Sequence, residues 1–558
     1  MTKSRTGSVE YGVCILASAL FILIIGAFAV PLAASFSPLF VKTKSARIAG
    51  GYIARTALRT LAIAFFSTLT AAAVGIGAAF FTANRSFPGK RFILSLSAVP
   101  LCVPSLIIAL GFVAVFGING TLNSILIKIF HLKNAPLTLL YSTVGIIVVQ
   151  GFYNFPLVTA VVSSSWEALS PVKRDAALML GANERRIFFT VTLHELSPAI
   201  AAACVPVFLY CFFSFMIVLL FGSPGSSTLE TEIYRAARAS LDFRTAAALA
   251  LIETLCAMTV LFIYGARKGA AGTETPERTE KKDAPPIGCA PYEEKRTKII
   301  EYAFAAVIAV LVAFFFLAPL AGIAAGGFSA KGGILSFIKI ITSKGFKSAL
   351  FGTCMTAPCT ALLCVAAGFT YAAYIRLRDP LGKSEILKTL PMLPMALSSV
   401  VMGVGMTIAV RRASIATLVL AEAALAWPLA FRQIYASLCA VPQAAIDAGR
   451  MLSPVAPDTI FRIMIPSAKR GIVSAFGFCF AVSMGDTALP LVLSVPRFDT
   501  LSLYTYRLAS AYRFSAAEKS EEVQTEQTIE RTTENPNNAK RNDTQRAEQK
   551  SKTVPKQK

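Results

Sequence analysis

The chain has 558 residues, of which 55% are hydrophobic and 15% are charged, and its mean hydropathy is +0.62. Soluble chains carry roughly 25% charged residues, so this composition excludes a string of several soluble domains. It also excludes a mainly disordered chain and a small disulfide-bonded scaffold. The composition is typical of a polytopic membrane protein whose apolar surface faces lipid.

The net charge is strongly positive, at +23, from 54 Lys and Arg against 31 Asp and Glu. In a soluble protein this excess would indicate nucleic-acid binding. Here the cations lie mostly in short segments between apolar runs, where they suit anionic lipid headgroups. We therefore expect membrane lipid, and no nucleic acid, among the partners.

Cysteine and histidine give no indication of a metal or redox site. The eleven cysteines include no Cys-x-x-Cys pair, and most lie within apolar runs, as small buried side chains do. The only histidines are His131 and His194. We therefore expect no metal and no cofactor in this chain.

Eleven apolar runs reach the ~20 residues that a membrane-spanning helix needs. The first, residues 11–34, is too long for a signal-peptide core and is predicted to be a retained anchor. Because backbone in lipid must satisfy its own hydrogen bonds, all eleven runs are predicted to be helices. The other ten are residues 57–83, 92–117, 137–163, 199–222, 245–265, 299–324, 347–374, 386–410, 413–434 and 471–494.

Two polar segments divide the chain. Residues 266–298 are rich in Gly, Pro and charge, which predicts a solvated linker between two halves, residues 1–265 and 299–517. Residues 518–558 contain no apolar run and are predicted to form a disordered tail.

The two halves are related by a shift of 272 positions. The shift places Pro156 on Pro428, Asp175-Ala176 on Asp447-Ala448, Met179-Leu180 on Met451-Leu452, Phe189 on Phe461, and Tyr234-Arg235 on Tyr506-Arg507. One fixed offset over roughly 80 residues indicates an internal duplication. Both copies run in the same direction, which predicts a parallel repeat about an axis along the membrane normal.

The duplication is incomplete at its end. The first half is predicted to hold six spans and the second half five, because the second copy passes into the polar tail where the sixth span should follow. A truncation or a frameshift would explain this difference.

A polar stretch of about 30 residues separates the fourth and fifth spans of each half, within residues 166–200 and 437–472. In the first copy Pro171 suits the start of a helix. Asp175 and the two alanines after it would lie on that short helix, and Gly181 can end it. The pattern predicts a short helix in or on the cytosolic face in each half.

These two loops resemble the EAA loop of type I ABC-transporter permeases: Glu-Ala-Ala, three residues, Gly, nine residues, Ile, one residue, Leu-Pro. The corresponding residues are Asp175, Ala176, Ala177, Gly181, Val191, Leu193 and His194 in the first copy, and Asp447, Ala448, Gly449, Ser453, Ile463, Ile465 and Pro466 in the second. The spacing is intact in both copies, although several residue types depart from the pattern. The resemblance covers nearly the whole chain except the tail, and it extends to the fused two-domain permeases of thiamine and ferric-iron importers.

The resemblance implies an all-α polytopic protein of the inner (cytoplasmic) membrane, with two parallel-repeated permease halves and about 11 transmembrane helices (6 + 5). It implies that the loop helices dock onto two copies of a cytosolic ABC ATPase subunit, and that an extracytoplasmic substrate-binding protein delivers the substrate. The residues implied in this coupling are Asp175, Ala176, Ala177, Gly181, Asp447, Ala448, Gly449 and Ser453.

ATP would be used by the partner ATPase, and the chain itself is predicted not to be an enzyme. Gly382-Lys383-Ser384 matches only the end of a phosphate-binding loop, and Leu377 stands where the first glycine would be required.

Ionisable and aromatic residues within the spans are the candidates for a substrate path, because polar groups there are costly. They are Glu422, Asp486, Trp427 and Tyr153. A cationic thiazolium could use a carboxylate and an aromatic face, whereas Fe(III) would prefer carboxylate or phenolate oxygens. Each acid could instead simply bond a neighbouring helix.

The favoured function is a permease for thiamine or a related small cation, with Fe(III) as the alternative substrate. A secondary transporter of two six-helix halves is the alternative of another class, and it would need no ATPase and no binding protein. One feature opposes the implied orientation: Lys42–Arg59 would face outward with five Lys and Arg and no acid, against the positive-inside rule.

Overall fold

The computed structural model describes most of the chain. The described stretches are residues 2–40, 50–84, 103–222, 225–270, 295–329, 333–379, 390–410, 412–452 and 456–511, with the isolated positions 90, 384, 387 and 388. Ser453, the middle of the predicted linker and the predicted tail, residues 518–558, lie outside the described residues. Residues 1–502 form one compact unit, and a second unit begins at Leu503.

Every regular element in the described stretches is helical. In the first half the longer helices are α1 (Thr2–Phe36), α2 (Gly50–Asn84), α3 (Ser105–Phe116), α4 (Thr121–Phe130), α5 (Thr143–Glu167), α6 (Pro171–Met179), α7 (Leu193–Phe212) and α8 (Phe243–Ala270). In the second half they are α9 (Lys295–Val312), α10 (Ala318–Ser329), α11 (Gly333–Thr342), α12 (Lys344–Arg378), α13 (Ser399–Ala409), α14 (Ile415–Cys439), α15 (Gln443–Leu452) and α16 (Ile465–Gly485). Short helices follow at Met216–Phe221, Leu229–Tyr234 and Ala488–Leu493, and a last helix covers residues 501–511.

Ten of the described helical segments are long and apolar enough to cross a membrane. They are Ser18–Phe40, Gly50–Asn84, Ser105–Phe130, Thr143–Glu167, Arg185–Phe212, Phe243–Ile263, Ala305–Ile323, Lys344–Arg378, Ile415–Cys439 and Ile460–Gly485. A helix pair bent by 91°, Leu390–Ala396 with α13, makes an eleventh candidate. The predicted all-α, multi-pass architecture is therefore confirmed.

The fifth span of each half lies earlier in the chain than the apolar runs predicted. The runs covered residues 199–222 and 471–494, whereas the observed spans are Arg185–Phe212 and Ile460–Gly485. Each span begins within polar residues of the loop motif, and the end of each apolar run forms a separate short helix. The charged residues at the start of each fifth span lower its mean hydropathy, so the apolar run begins too late. Mean hydropathy also does not detect the break between the span and the short helix that follows it.

Helical structure also occupies both ends of the segment predicted as a linker. Helix α8 continues to Ala270 and helix α9 begins at Lys295, within residues 266–298.

The same helix pair forms the centre of each half. Helix α2 packs along α5, and α12 packs along α14. A glycine allows the close approach in both: a Cβ atom would lie 2.7 Å from Val158 Cβ at Gly75, and 2.7 Å from the backbone nitrogen of Phe431 at Gly368. Small residues at their contacts allow membrane helices to approach each other closely.

The halves are interlocked through their first spans. Helix α1 packs against α13 of the second half, and α10, which continues the first span of the second half, packs against α3. At these contacts Gly405 approaches the carbonyl oxygen of Pro31, and Gly111 that of Pro319. The exchange is reciprocal, as a parallel repeat requires.

A pair of equivalent hydrogen bonds also relates the halves. The hydroxyl oxygen of Thr60 accepts from the backbone nitrogen of Leu229 at 2.9 Å, and that of Thr353 accepts from Leu501 at 2.8 Å. Leu229 and Leu501 are separated by the 272-residue shift found in the sequence. The duplication is therefore visible at the level of single contacts.

Candidate functional site

Helix α6 carries the first copy of the loop motif and begins at the predicted proline. Pro171 lies in its first turn, and the side-chain oxygen of Ser170 accepts a hydrogen bond from the backbone nitrogen of Val172 at 3.4 Å. Proline fits there because the first backbone N–H groups of a helix have no partner within it. Asp175 and Ala176 then face solvent on the exposed side of the helix.

Gly181 ends the polar helix through its backbone conformation. Its φ angle is +79°, in the left-handed region that favours glycine. The nitrogen of Gly181 donates to the carbonyl oxygen of Leu178 at 2.9 Å, and that of Ala182 donates to Ala177 at 3.1 Å. This pair of bonds is the Schellman arrangement, which satisfies the last carbonyls of a helix.

Helix α15 presents the second copy in the same way. Asp447 and Ala448 are exposed, and the side-chain nitrogen of Gln443 donates to Asp447 Oδ1 at 3.0 Å. Gly449, which corresponds to the second alanine of the Glu-Ala-Ala motif, is buried.

The departure at Gly449 has a packing reason. A Cβ atom there would overlap Cδ1 of Ile463, in the π-helical turn at the start of the fifth span. The equivalent residues of the first copy are Ala177 and Val191. The first copy thus pairs the larger residue on the helix with the smaller one on the turn, and the second copy reverses the sizes.

Both loop helices end in an exposed apolar pair. Met179 and Leu180 are 90% and 89% exposed, and their equivalents Met451 and Leu452 are 90% and 89% exposed. Large apolar side chains left this open, at matching places in a duplicated fold, are typical of contact with another protein.

A central cavity of about 340 Å³ lies between the two halves. Its walls include three acidic residues, Glu230, Glu422 and Asp486. Among the described residues that line it there is no lysine, arginine or histidine. Two of the predicted path residues, Glu422 and Asp486, are therefore brought together with Glu230 in the wall of one cavity.

Glu422 lies on α14 and is almost fully buried. Its Oε2 accepts hydrogen bonds from the hydroxyl of Thr360, at 3.0 Å, and from that of Ser483. Its Oε1 has no hydrogen-bond partner. One oxygen thus ties three helices together, and the other is buried without a hydrogen-bond partner among the described residues.

Asp486 starts the short helix Ala488–Leu493. Its Oδ1 accepts from the backbone nitrogens of Ala488 at 2.9 Å and Leu489 at 3.4 Å. Side-chain oxygens at this position satisfy the first free N–H groups of a helix.

The third acid, Glu230, was missed by the sequence analysis. It lies in the short helix Leu229–Tyr234 between two spans, is buried, and leaves its Oε2 without a partner. Burial raises the pKa of the Glu230 carboxyl above its usual range, and the nearby Asp486 adds to this effect. In sequence it is one of several acids in a polar segment, so only its burial distinguishes it.

Of the two aromatic candidates, Tyr153 lines the cavity and Trp427 does not. The Tyr153 hydroxyl donates to the carbonyl oxygen of Val103 at 2.9 Å. The ring of Trp427 packs instead within a hydrophobic cluster, 5.9 Å from that of Tyr371 and 6.0 Å from that of Phe21. An aromatic residue at helical spacing within a span is thus part of the core here.

Part of the chain matches a known family. Residues 71–267 match the family described as "binding-protein-dependent transport system inner membrane component", so this part of the chain is a type I ABC-permease domain. With its ten to eleven candidate spans, the chain is a multi-pass inner-membrane permease of the binding-protein-dependent ABC importer class.

Similar proteins are thiamine transport system permeases. The protein of that name (ThiP) from Brucella abortus (strain 2308) is 26% identical, over 84% of each chain. That from Escherichia coli (strain K12) is 24% identical, over 81% of this chain and 82% of its own. A chain of a solved bacterial alginate ABC transporter is 16% identical and covers 49% of this chain and 98% of its own, with a TM-score of 0.38.

Proposed function

We propose that the chain forms the membrane pathway of a thiamine importer, coupled to two copies of a cytosolic ABC ATPase subunit and supplied by an extracytoplasmic binding protein. The observation that carries the proposal is the pair of equivalent loop helices, α6 and α15, each ending in an exposed Met-Leu pair. A duplicated surface fits two copies of one partner, because each copy meets the same residues.

The ATPase is the partner that this surface fits. An exposed apolar pair at the end of a short, well-capped helix can enter a cleft of a soluble protein without a large loss of entropy. ATP would be bound by that partner, since this chain contains only the end of a phosphate-binding loop at Gly382-Lys383-Ser384.

The opposite ends of the spans suit a soluble, acidic partner. Because successive spans run in opposite directions, the starts of α2 and α14 lie at the end away from the loop helices. Exposed cations there include Arg55, Lys128, Arg412 and Arg497, and the last two line an open cavity of about 800 Å³. Complementary charge speeds and orients protein association, so this basic surface supports the docking of a binding protein. Docking of an acidic protein would also explain why the segment Lys42–Arg59 carries positive charge on the outer side, against the positive-inside rule.

The substrate assignment rests on the relatives and on the central cavity. Both relatives described above are named as thiamine permeases, and the cavity offers carboxyl groups to a cation. Within the described stretches, no three His, Cys, Asp or Glu side chains converge as metal ligands do. The geometry therefore favours thiamine over Fe(III).

The coupling surface is tested by charge substitutions in the Met-Leu pairs. Met179→Asp with Leu180→Asp should abolish most of the ATPase activity that the loaded binding protein stimulates, because the ATPase contact becomes polar. Met451→Asp with Leu452→Asp should do the same. Met179→Leu with Leu180→Met is the matched control, since it changes the same two positions and keeps the exposed surface apolar.

Insertion is checked by the yield and elution profile of each purified variant. Normal stimulation of the ATPase in both double aspartate variants would overturn the proposed coupling surface.

A further inference from the structure

We infer that the central cavity is itself a binding site for a monovalent organic cation with an aromatic ring, held by the acids of the cavity wall against aromatic side chains of the first half. The inference rests on the proposed function and deepens it, because it places a substrate site within the permease. The acids are Glu230, Glu422 and Asp486.

The acids break the symmetry of the duplication. At the equivalent positions of the other half stand Ser502, Gln150 and Ser214. Each of the three carboxyl groups thus corresponds to an uncharged polar residue in the other half. All three carboxyl groups line the same cavity.

A structural role for Glu422 does not explain its charge. In the first half, the oxygen of Gln150 accepts from the hydroxyl of Ser67 at 2.8 Å, which is the counterpart of the bond from Thr360 to Glu422. An amide therefore satisfies this helix contact. Unlike the amide, the carboxyl group can become negatively charged, and this charge is costly to bury without a partner.

Two oxygen atoms of the cavity-lining acids have no hydrogen-bond partner. Oε1 of Glu422 and Oε2 of Glu230 make no hydrogen bond, and the two side chains are 4% and 1% exposed. No cationic side chain lies among the described lining residues, so a cationic ligand would supply the positive charge that stabilises the ionised form of these acids.

Aromatic side chains line the cavity from the first half. They are Tyr153, Tyr210, Phe213 and Phe215. Aromatic faces attract organic cations, most strongly where water is excluded. The buried Oδ1 of Asn154 adds a free hydrogen-bond acceptor in the same wall.

The size and spacing of the groups fit an organic cation better than a bare metal ion. A volume of about 340 Å³ is at the lower end of small-molecule sites, which range from about 300 to 1,000 Å³. The described acids do not converge into a metal-binding group. Charge and aromatic contact are therefore spread over a molecule-sized space.

The test is equilibrium dialysis of labelled thiamine with the purified permease–ATPase complex, without binding protein. Glu422→Gln and Asp486→Asn should each weaken binding by about tenfold or more, because each removes one partner of a desolvated charge pair. Glutamine is the natural residue at the equivalent position, and asparagine keeps the helix cap, so both variants should fold.

A double variant that moves the carboxyl group to the equivalent position of the other half tests whether the loss of binding is due to the charge or to a change in structure. Ser214 lines the cavity at the position equivalent to Asp486, so Asp486→Asn combined with Ser214→Asp should restore most of the lost affinity. Glu167→Gln, an acid on the same helix as Tyr153 but paired with Lys90 near the loop helices, should leave binding unchanged.

Absence of thiamine binding by the wild-type complex, or unchanged affinity in both single variants, would overturn the inferred site. The proposed function is judged separately, by ATPase stimulation with thiamine-loaded binding protein. ATPase stimulation by thiamine-loaded binding protein, without acid-dependent thiamine binding in the cavity, would support the proposed function and overturn the inferred site. Acid-dependent binding of thiamine, without ATPase stimulation by thiamine-loaded binding protein, would support the site and overturn the proposed function.

Discussion

A single backbone angle fixes the shape of the first coupling loop. Gly181 adopts a φ of +79°, and a Cβ atom built there would meet nothing within 4 Å. Space is therefore not what requires glycine at this position. The requirement is conformational, since a residue with a side chain pays about 1–2 kcal/mol in the left-handed region.

Substitution of Gly181 should therefore act through the backbone and not through bulk. Gly181→Ala and Gly181→Trp should weaken the helix end by a similar amount, ~1 kcal/mol, and Gly181→Asn by less, because asparagine tolerates this conformation. Hydrogen exchange at the Gly181 and Ala182 amides measures the change, since both donate to the end of α6. Equal protection in wild type and in the alanine variant would contradict it.

Polar residues in apolar runs could be identified from the sequence alone, and their surroundings could not. Glu422, Asp486 and Tyr153 are unusual within spans, and the structure places all three in the cavity wall. Trp427 has the same sequence signature but packs in the core. Glu230 lies outside any apolar run, so nothing in the sequence indicates that folding buries it.

At the scale of elements, mean hydropathy predicts that a spanning helix exists better than it predicts where the helix begins and ends. The spans were found because ~20 apolar residues are needed to cross lipid. The 91° bend before α13 and the breaks after the fifth spans were not found, because a window of mean hydropathy does not detect a change in helix direction. The short loop helices were predicted, since proline and glycine mark helix ends directly.

The packing of α12 on α14 should be sensitive to one methyl group. At Gly368 a Cβ atom would lie 2.7 Å from the backbone nitrogen of Phe431, which cannot move aside as a flexible side chain can. Gly368→Ala should destabilise the protein by ~1–3 kcal/mol, the usual cost of overpacking.

Gly477→Ala is the matched control, in a spanning helix where a Cβ atom would meet nothing within 4 Å. Alanine there should be neutral or stabilising by up to ~1 kcal/mol, because it favours a helix over glycine. The midpoint of thermal unfolding in detergent compares the two. A Gly368→Ala variant as stable as Gly477→Ala would show that the helices can separate without loss.

For the whole molecule, the sequence predicted the duplication but not the way in which the halves meet. A constant offset shows which residues are equivalent, and it does not show which surfaces touch. The structure adds that the first spans are exchanged, with Gly405 against Pro31 and Gly111 against Pro319. Such an interlocked pair can move one half against the other around a central site, as alternating access requires.

The two faces of the molecule expose different kinds of side chain, and each kind suits the partner proposed for that face. The loop helices present apolar pairs, and the opposite ends of the spans present cations such as Arg412 and Arg497. The cavity between them is acidic. A cationic substrate would thus pass from a binding protein held by charge to a pathway that attracts it.

The energy source of transport tests the account most directly. In proteoliposomes that contain the permease and its ATPase, thiamine uptake should require ATP on the side of the loop helices and the binding protein on the other side. A proton or sodium gradient without ATP should give no uptake above that of empty liposomes. Gradient-driven uptake by the permease alone would contradict the account and would indicate a secondary transporter.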